Sequence, residues 1–290
     1  MSFRSLEEII RKSKETGKAF WEIVMEDDMN ERAASSQDSF HKMKLLYLSM
    51  RDANAAYDKN LKSASELVGG DGEKVHQALK AGKLLSGTFG GEVIAKALKM
   101  GENNACMKRI VAAPTAGSCG VLPAVLLTYE EQMGEEIDRM VEAMFVASGI
   151  GVVISVRAFL AGAAGGCQAE IGSASAMAAG ALAYLQGGDG ECIAHASALT
   201  LKNLLGLVCD PVAGLVEVPC VKRNVVGAIN AIASADMAIA GVRSQIPPDE
   251  VIDAMREVGE AMPSALRETG EGGLAGTPTG IKIRDRVLMQ

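Results

Sequence analysis

The chain is 290 residues long with a formal net charge of −7, and 48% of its residues are hydrophobic but only 4% aromatic. That length is enough for one large or two ordinary domains with a sizeable core, so stability does not call for disulfides. The acidic balance excludes a nucleic-acid binder, which needs a basic face, and a simple binder of anionic membrane surfaces.

The predicted elements begin with Ser5 and Glu8 in capping-box spacing, followed by Leu6, Ile9, Ile10, Ala19, Phe20, Ile23 and Val24 at helical intervals. One helix or two are expected here, ending before Glu26-Asp27-Asp28. A second amphipathic stretch covers residues 40–57. A third covers 92–100, with Gly101 placed as a C-terminal cap. From 111 to 241 the chain turns rich in Gly, Ala and Ser and poor in charge, as a buried catalytic core would be. Within it, residues 113–124 form a turn leading into an apolar helix with Pro123 in its first turn. The most lipid-like stretch, 143–156, is shorter than the roughly 20 residues a membrane span needs and reads as a buried helix. Pro247-Pro248-Asp249-Glu250 starts a last clear helix, with Val251, Ile252, Met255, Val258 and Met262 on one face, and residues 270–280 follow as a flexible loop.

Ala-rich runs at 161–164 and 174–181 favour close helix packing, with 15 methionines to fill gaps. Hairpin dipeptides and long repeats are absent. The expected fold is therefore all-α, a compact multi-helix catalytic domain with Gly-rich active-site loops. Residues 1–290 read as one domain, with a polar helical N-terminal part over 1–100 and a site-bearing core over 101–290.

The six cysteines lack the paired short spacings of a disulfide scaffold, and the opening Met1-Ser2-Phe3-Arg4 lacks an apolar signal region, so a reducing cytoplasm is expected. Cysteine is among the most buried residue types, and Cys106 and Cys192 read as small core hydrophobes. Cys167, Cys209 and Cys220 differ, because each adjoins Gly or Pro, and their separations of 42 and 11 residues form no compact CxxC clip. Three protein ligands to a metal leave one coordination position open to substrate. On spacing alone, the core reading of these thiols stands beside the metal reading.

The turn Pro114-Thr115-Ala116-Gly117-Ser118-Cys119-Gly120 offers backbone N–H groups, the positive end of a helix dipole and two hydroxyls, which suit a carboxylate or phosphate. It is neither a P-loop nor GxGxxG, and an ordinary capped turn accounts for the same residues. His41 and His76 lie in polar helical segments and are expected to face solvent. His195, between two alanines, is expected to be packed and hydrogen-bonded, which leaves no evident local histidine base.

Five ordered blocks carry a resemblance. They are the turn at 114–120, Gly166-Cys167-Gln168-Ala169-Glu170-Ile171-Gly172, Cys209-Asp210-Pro211 with its neighbours over 206–214, Pro219-Cys220-Val221-Lys222-Arg223-Asn224, and the segment 267–275 opening with Arg267-Glu268-Thr269. Through them the chain closely resembles the α subunit of bacterial iron-sulfur-dependent L-serine dehydratase, the oxygen-sensitive class that does not use pyridoxal phosphate. The resemblance spans most of the chain and implies an all-helical fold. It also implies a 4Fe-4S cluster ligated by Cys167, Cys209 and Cys220, with the fourth iron open to L-serine. The implied reaction dehydrates serine to aminoacrylate, which yields pyruvate and ammonia.

On this resemblance Thr115, Gly117 and Ser118 are expected to hold the substrate carboxylate. Arg223, Asn224 and Arg267 would bind substrate or support the cluster, with ordinary ion pairing as the alternative. Glu170 is either a support of the site or a plain helix charge. Single-chain members of the family add an N-terminal domain with a Ser-Ser-His-Thr-type motif and often a cysteine near the C-terminus, and this chain shows neither. A separate β subunit is therefore expected to supply the catalytic base. Two alternatives remain: an iron-sulfur electron carrier with Cys119 as fourth ligand, and a lyase of the same fold acting on cysteine or threonine.

Overall fold

The computed structural model describes residues 3–289, and among these it contains thirteen α-helices, two short 3-10 turns and no β-strand. The all-α expectation holds. α1 (Leu6–Thr16) starts where the Ser5 hydroxyl accepts from the Glu8 amide (3.0 Å) and stops at Gly17 in the left-handed conformation. α2 (Phe20–Arg32) runs straight through Glu26-Asp27-Asp28, where the sequence pattern predicts an end. Lys18 pairs with Glu26, and Arg32 with Asp28 one turn earlier (3.0 Å), so the acids stay in the helix on its polar side. α3 (Ser36–Ala55) begins ahead of the apolar pattern because Ser35 caps it, accepting from the Asp38 amide at 3.1 Å.

α4 (Asp71–Lys80) is followed by α5 (Gly87–Ala105), which passes through Gly101 instead of ending there. A Cβ at Gly101 would stand 3.1 Å from Val221 Cγ1, so this glycine serves a helix crossing and not a cap. α6 (Val121–Met133) carries Pro123 in its first turn as expected. α7 (Ile137–Arg157) is long and apolar enough to cross a membrane by length and composition, yet 67% of its apolar window is buried inside the protein. Then come α8 (Gly162–Gly165), α9 (Cys167–Leu185), α10 (Gly190–Lys202), a 3-10 turn at Val212–Gly214, α11 (Cys220–Ile239) and α12 (Pro248–Ala261).

The segment expected as a flexible loop is tied down. The Leu274 amide donates to Asp210 Oδ2 at 2.8 Å and the Gly272 amide to the Ala265 carbonyl at 3.0 Å. It ends in a further helix, α13 (Pro278–Leu288), that the apolar pattern does not reveal. Its signal is local: Thr277 accepts from the Gly280 amide (3.0 Å) and Pro278 occupies the first turn.

α9 is the axis of the molecule. Every one of its residues is buried except Glu170. Such a helix must be apolar or small on all sides, and its Ala, Gly and Ser residues let α7, α10 and α11 pack directly around it. Gly180 shows how close they come: its Cβ would lie 3.1 Å from Ser197 Oγ on α10. One hydrophobic cluster extends from Phe3 to Met255, and a smaller one joins Val68, Leu98 and Val221. Each fully buried large side chain, such as Phe145 or Leu126, contributes about 1.5–3 kcal/mol to that core.

Among the histidines, His41 is exposed. His76 is half-buried with Nδ1 3.5 Å from Glu92, so it does not simply face solvent. His195 Nδ1 accepts from the Ser244 amide at 3.2 Å.

Candidate functional site

Two helix starts and one loop bring the chemistry together. Cys167 is the first residue of α9 and Cys220 the first of α11, where helix dipoles favour negative charge on sulfur. Gly166, ahead of Cys167, has φ +78°, and a Cβ there would meet Met262 Cε at 2.7 Å, so only glycine makes this entry. Gln168 then stitches the helix start in place. Its amide accepts from Gly206 N (2.8 Å) and donates to the Met255 carbonyl (3.0 Å), while its backbone donates to the Leu207 carbonyl (2.9 Å).

Cys209 lies on the loop between α10 and α11. A short parallel bridge to Arg267 holds it: Cys209 N donates to the Leu266 carbonyl (2.8 Å) and its own carbonyl accepts from Glu268 N. All three thiols are buried, with 1–3% exposure. Cys167, Cys209 and a Glu170 carboxylate oxygen lie within 4.8 Å of one another, and Cys220 stands outside that spacing. The Cys209 thiol donates toward Cys167, which lowers the Cys167 pKa and raises that of Cys209, and the Arg223 guanidinium further favours a Cys167 thiolate. Burial, with the Cys167 charge adding to it, pushes Cys220 up to about 12.

Arg223 is a hub rather than a surface charge. It bonds the Val208 carbonyl (2.8 Å) and pairs with Asp210 (2.8 Å), and the two side chains are 14% and 4% exposed. Asn224 is 1% exposed and bolts the Thr115 turn to α11. Its amide donates to the carbonyls of Gly117 (2.8 Å) and Cys220 (3.0 Å), and its oxygen accepts from Gly120 N (2.8 Å). Arg267 is half-buried, and among the described residues its guanidinium has neither an ion pair nor a hydrogen bond.

The Thr115 turn faces Glu170. Thr115 Oγ1 donates to Glu170 Oε1 at 2.5 Å and lies 2.9 Å from Ser118 Oγ, and a Cβ at Gly117 would stand 2.8 Å from the Glu170 carboxyl carbon. Burial raises the Glu170 pKa, the Thr115 hydroxyl opposes this and the Glu268 charge adds to it. The turn expected to hold an anion is therefore closed by a carboxylate on its Thr115 and Gly117 side.

Glu268 and Asp210 are site residues that the sequence pattern does not single out. Glu268 takes φ +64°, an uncommon conformation for a residue with a side chain, and its carboxylate flanks Gly162 beside Cys209. Cys119, the candidate fourth thiol, is fully buried and its Sγ bonds the Met100 carbonyl on α5 at 3.6 Å. The donor chemistry fits the cluster that the resemblance implies: three buried thiols, two at helix N-termini and one on a pinned loop, with a guanidinium to offset thiolate charge.

Gly120 gives a direct check on this packing. A Cβ there would meet the Ala97 carbonyl at 2.6 Å and Asn224 Oδ1 at 3.0 Å. Gly120→Ala is expected to destabilise the fold by about 1–3 kcal/mol, read as a melting temperature lower by about 5 °C.

The family described as "Serine dehydratase alpha chain" matches residues 15–275. A "Probable L-serine dehydratase, alpha chain" of Bacillus subtilis (strain 168) is 46% identical over 286 residues, covering 99% of this chain and 95% of that protein. A protein of the same description from Latilactobacillus sakei is 54% identical over 199 residues, covering 69% and 95%. The "L-serine dehydratase, alpha chain" of Peptoniphilus asaccharolyticus is 44% identical over 287 residues, covering 98% and 97%.

Proposed function

The chain belongs to the serine dehydratase alpha chain family, and from that premise we propose that it is the α subunit of an L-serine dehydratase, a lyase yielding pyruvate and ammonia. One observation carries this reading: Cys167, Cys209 and Cys220 are gathered in the interior beside an unpartnered Arg267. A 4Fe-4S cluster held by these three thiolates would supply a Lewis acid for the substrate hydroxyl.

The side chains do the rest. Serine's α-hydrogen is a very weak acid and hydroxide is a poor leaving group, so the substrate must be held where charge is stabilised as both are lost. Arg267 fixes the substrate carboxylate, with the Ala116 and Gly117 amides, which donate to no group among the described residues. Thr115 and Ser118 orient it through their hydroxyls, while Glu170 holds the turn in place. Arg223 and Asn224 act one step back, on the thiols and the turn. Loss of the α-proton and the hydroxyl as water leaves aminoacrylate, which tautomerises to the imine and takes up water to give pyruvate and ammonia.

The α-proton acceptor is assigned to a separate β subunit, in keeping with the "alpha chain" descriptions of the relatives. An electron carrier would want a fourth protein ligand, and Cys119 is engaged elsewhere. Six unpaired cysteines support a reducing cytoplasm as the compartment.

The test is anaerobic purification with iron and sulfide analysis, then a serine-to-pyruvate assay with and without the β subunit. Iron and sulfide in equal amounts, serine-dependent pyruvate with the β subunit present, and loss of activity in air are expected. Full turnover by an iron-free or air-stable preparation would sink the reading.

A further inference from the structure

Residues 57–70, between α3 and α4, contain no helix, yet the hydroxyls of Tyr57, Ser63 and Ser65 are engaged on two buried carboxylates. Both ends close on Glu102 of α5, itself 1% exposed. Tyr57 Oη donates to it at 2.6 Å, and the Asp71 amide at the start of α4 donates at 2.7 Å. The middle closes on Glu217, 6% exposed and three residues before Cys220: Ser63 Oγ and Ser65 Oγ both donate to Glu217 Oε2, at 2.8 and 2.5 Å.

The same segment also grips the residues after Cys220. Val68 packs with Val221 and Leu98 in a separate apolar cluster. Lys222 Nζ bonds Asp71 Oδ2 at 2.7 Å, and the Val221 amide returns to the Glu217 carbonyl at 3.0 Å. From the other side Arg286 of α13 bonds the Ser65 carbonyl at 3.1 Å. Glu217, Val221 and Lys222 surround Cys220 in the chain; the first two are held by this segment and the third by Asp71, the residue that follows it.

A carboxylate with so little water around it stays in place only while its hydrogen bonds are made. We infer that residues 57–70 are a positioning strap for Cys220, and that the hydrogen bonds from Ser63 and Ser65 to Glu217 are its latch. The strap sets where the first residue of α11 stands relative to Cys167 and Cys209, without touching substrate. The inference takes the ligand role of Cys220 from the proposed function, so its test is made without metal.

The experiment is alkylation of the full metal-free chain by iodoacetamide, with the rate followed at each cysteine by mass spectrometry. Cys192 on α10, 4% exposed, serves as the internal reference for global opening. In the Ser63→Ala, Ser65→Ala double variant, the Cys220 rate is expected to rise at least about tenfold relative to Cys192, a selective local opening. Glu217→Gln, whose amide oxygen still accepts from both hydroxyls, is expected to stay within about twofold of the unaltered chain. If the double variant does not fold, Ser65→Ala alone is expected to give a smaller rise of the same selectivity. An unchanged ratio, an equal rise at both cysteines, or a Glu217→Gln chain as open as the double variant would overturn the strap. Iron retained by Cys220→Ala would instead overturn the ligand assignment and leave the alkylation result standing.

Discussion

Cys209→Ala is expected to yield a folded chain with no bound iron and with pyruvate formation lower by at least about 10³-fold, since a Lewis-acid site supplies several kcal/mol of charge stabilisation. The fold should survive because Cys209 is held by its backbone, through Leu266 and Glu268, and not by its sulfur. Cys167→Ala and Cys220→Ala should behave alike, for both sulfurs sit at helix starts whose geometry is set by neighbouring residues. Cys106→Ala is the control: Cys106 follows α5 and is outside the cysteine group at the site, so iron and activity should both persist. Iron analysis and the serine-to-pyruvate assay on the four variants decide the matter. Retained iron and activity in Cys209→Ala would remove the ligand assignment.

Arg223→Ala should be the most destabilising single change among the charged groups of the site. It strips the cationic partner from Asp210, whose side chain is 4% exposed and among the described residues keeps only the Leu274 amide, and breaking a buried pair this way costs about 3–5 kcal/mol. For a chain of this size that corresponds to a melting temperature lower by about 10 °C. The damage should reach the metal site as well. Arg223 also holds the Val208 carbonyl and favours the Cys167 thiolate, so iron per chain should fall even in the folded fraction. Arg223→Lys should restore only part of this, because one ammonium cannot fork between Asp210 and the Val208 carbonyl as a guanidinium does. Melting curves and iron content on the two variants test both consequences. Wild-type stability in Arg223→Ala would show that the Leu274 amide is enough to keep Asp210 in place.

Much of the fold was legible from local signals. Ser5 marks the start of α1, Pro123 sits in the first turn of α6, and the apolar face over Val251, Ile252 and Met255 belongs to α12. These features depend on groups within a turn or two of each other, which is the range that capping and periodicity sense. The acids at 26–28 look like a break although Lys18 and Arg32, both close in the chain, pair with Glu26 and Asp28. The other misreadings share one cause, a partner from a distant segment: Gly101 looks like a cap until Val221 of α11 comes against it. The loop at 270–280 looks free until Asp210 takes the Leu274 amide.

The sequence by itself determined an all-helical chain whose small residues permit close packing, and the blocks around Cys167, Cys209 and Cys220 marked these thiols as candidates for the chemistry. Only the tertiary structure decided how they meet. Cys209 is placed by the 266–268 segment, the Thr115 turn is closed by Glu170 from α9, and Glu217 is gripped by Ser65 from 152 positions away. Each of these bonds joins groups that have no proximity until the helices pack around α9. Their partners, and with them the surroundings of Arg267, are consequences of packing that no local pattern encodes.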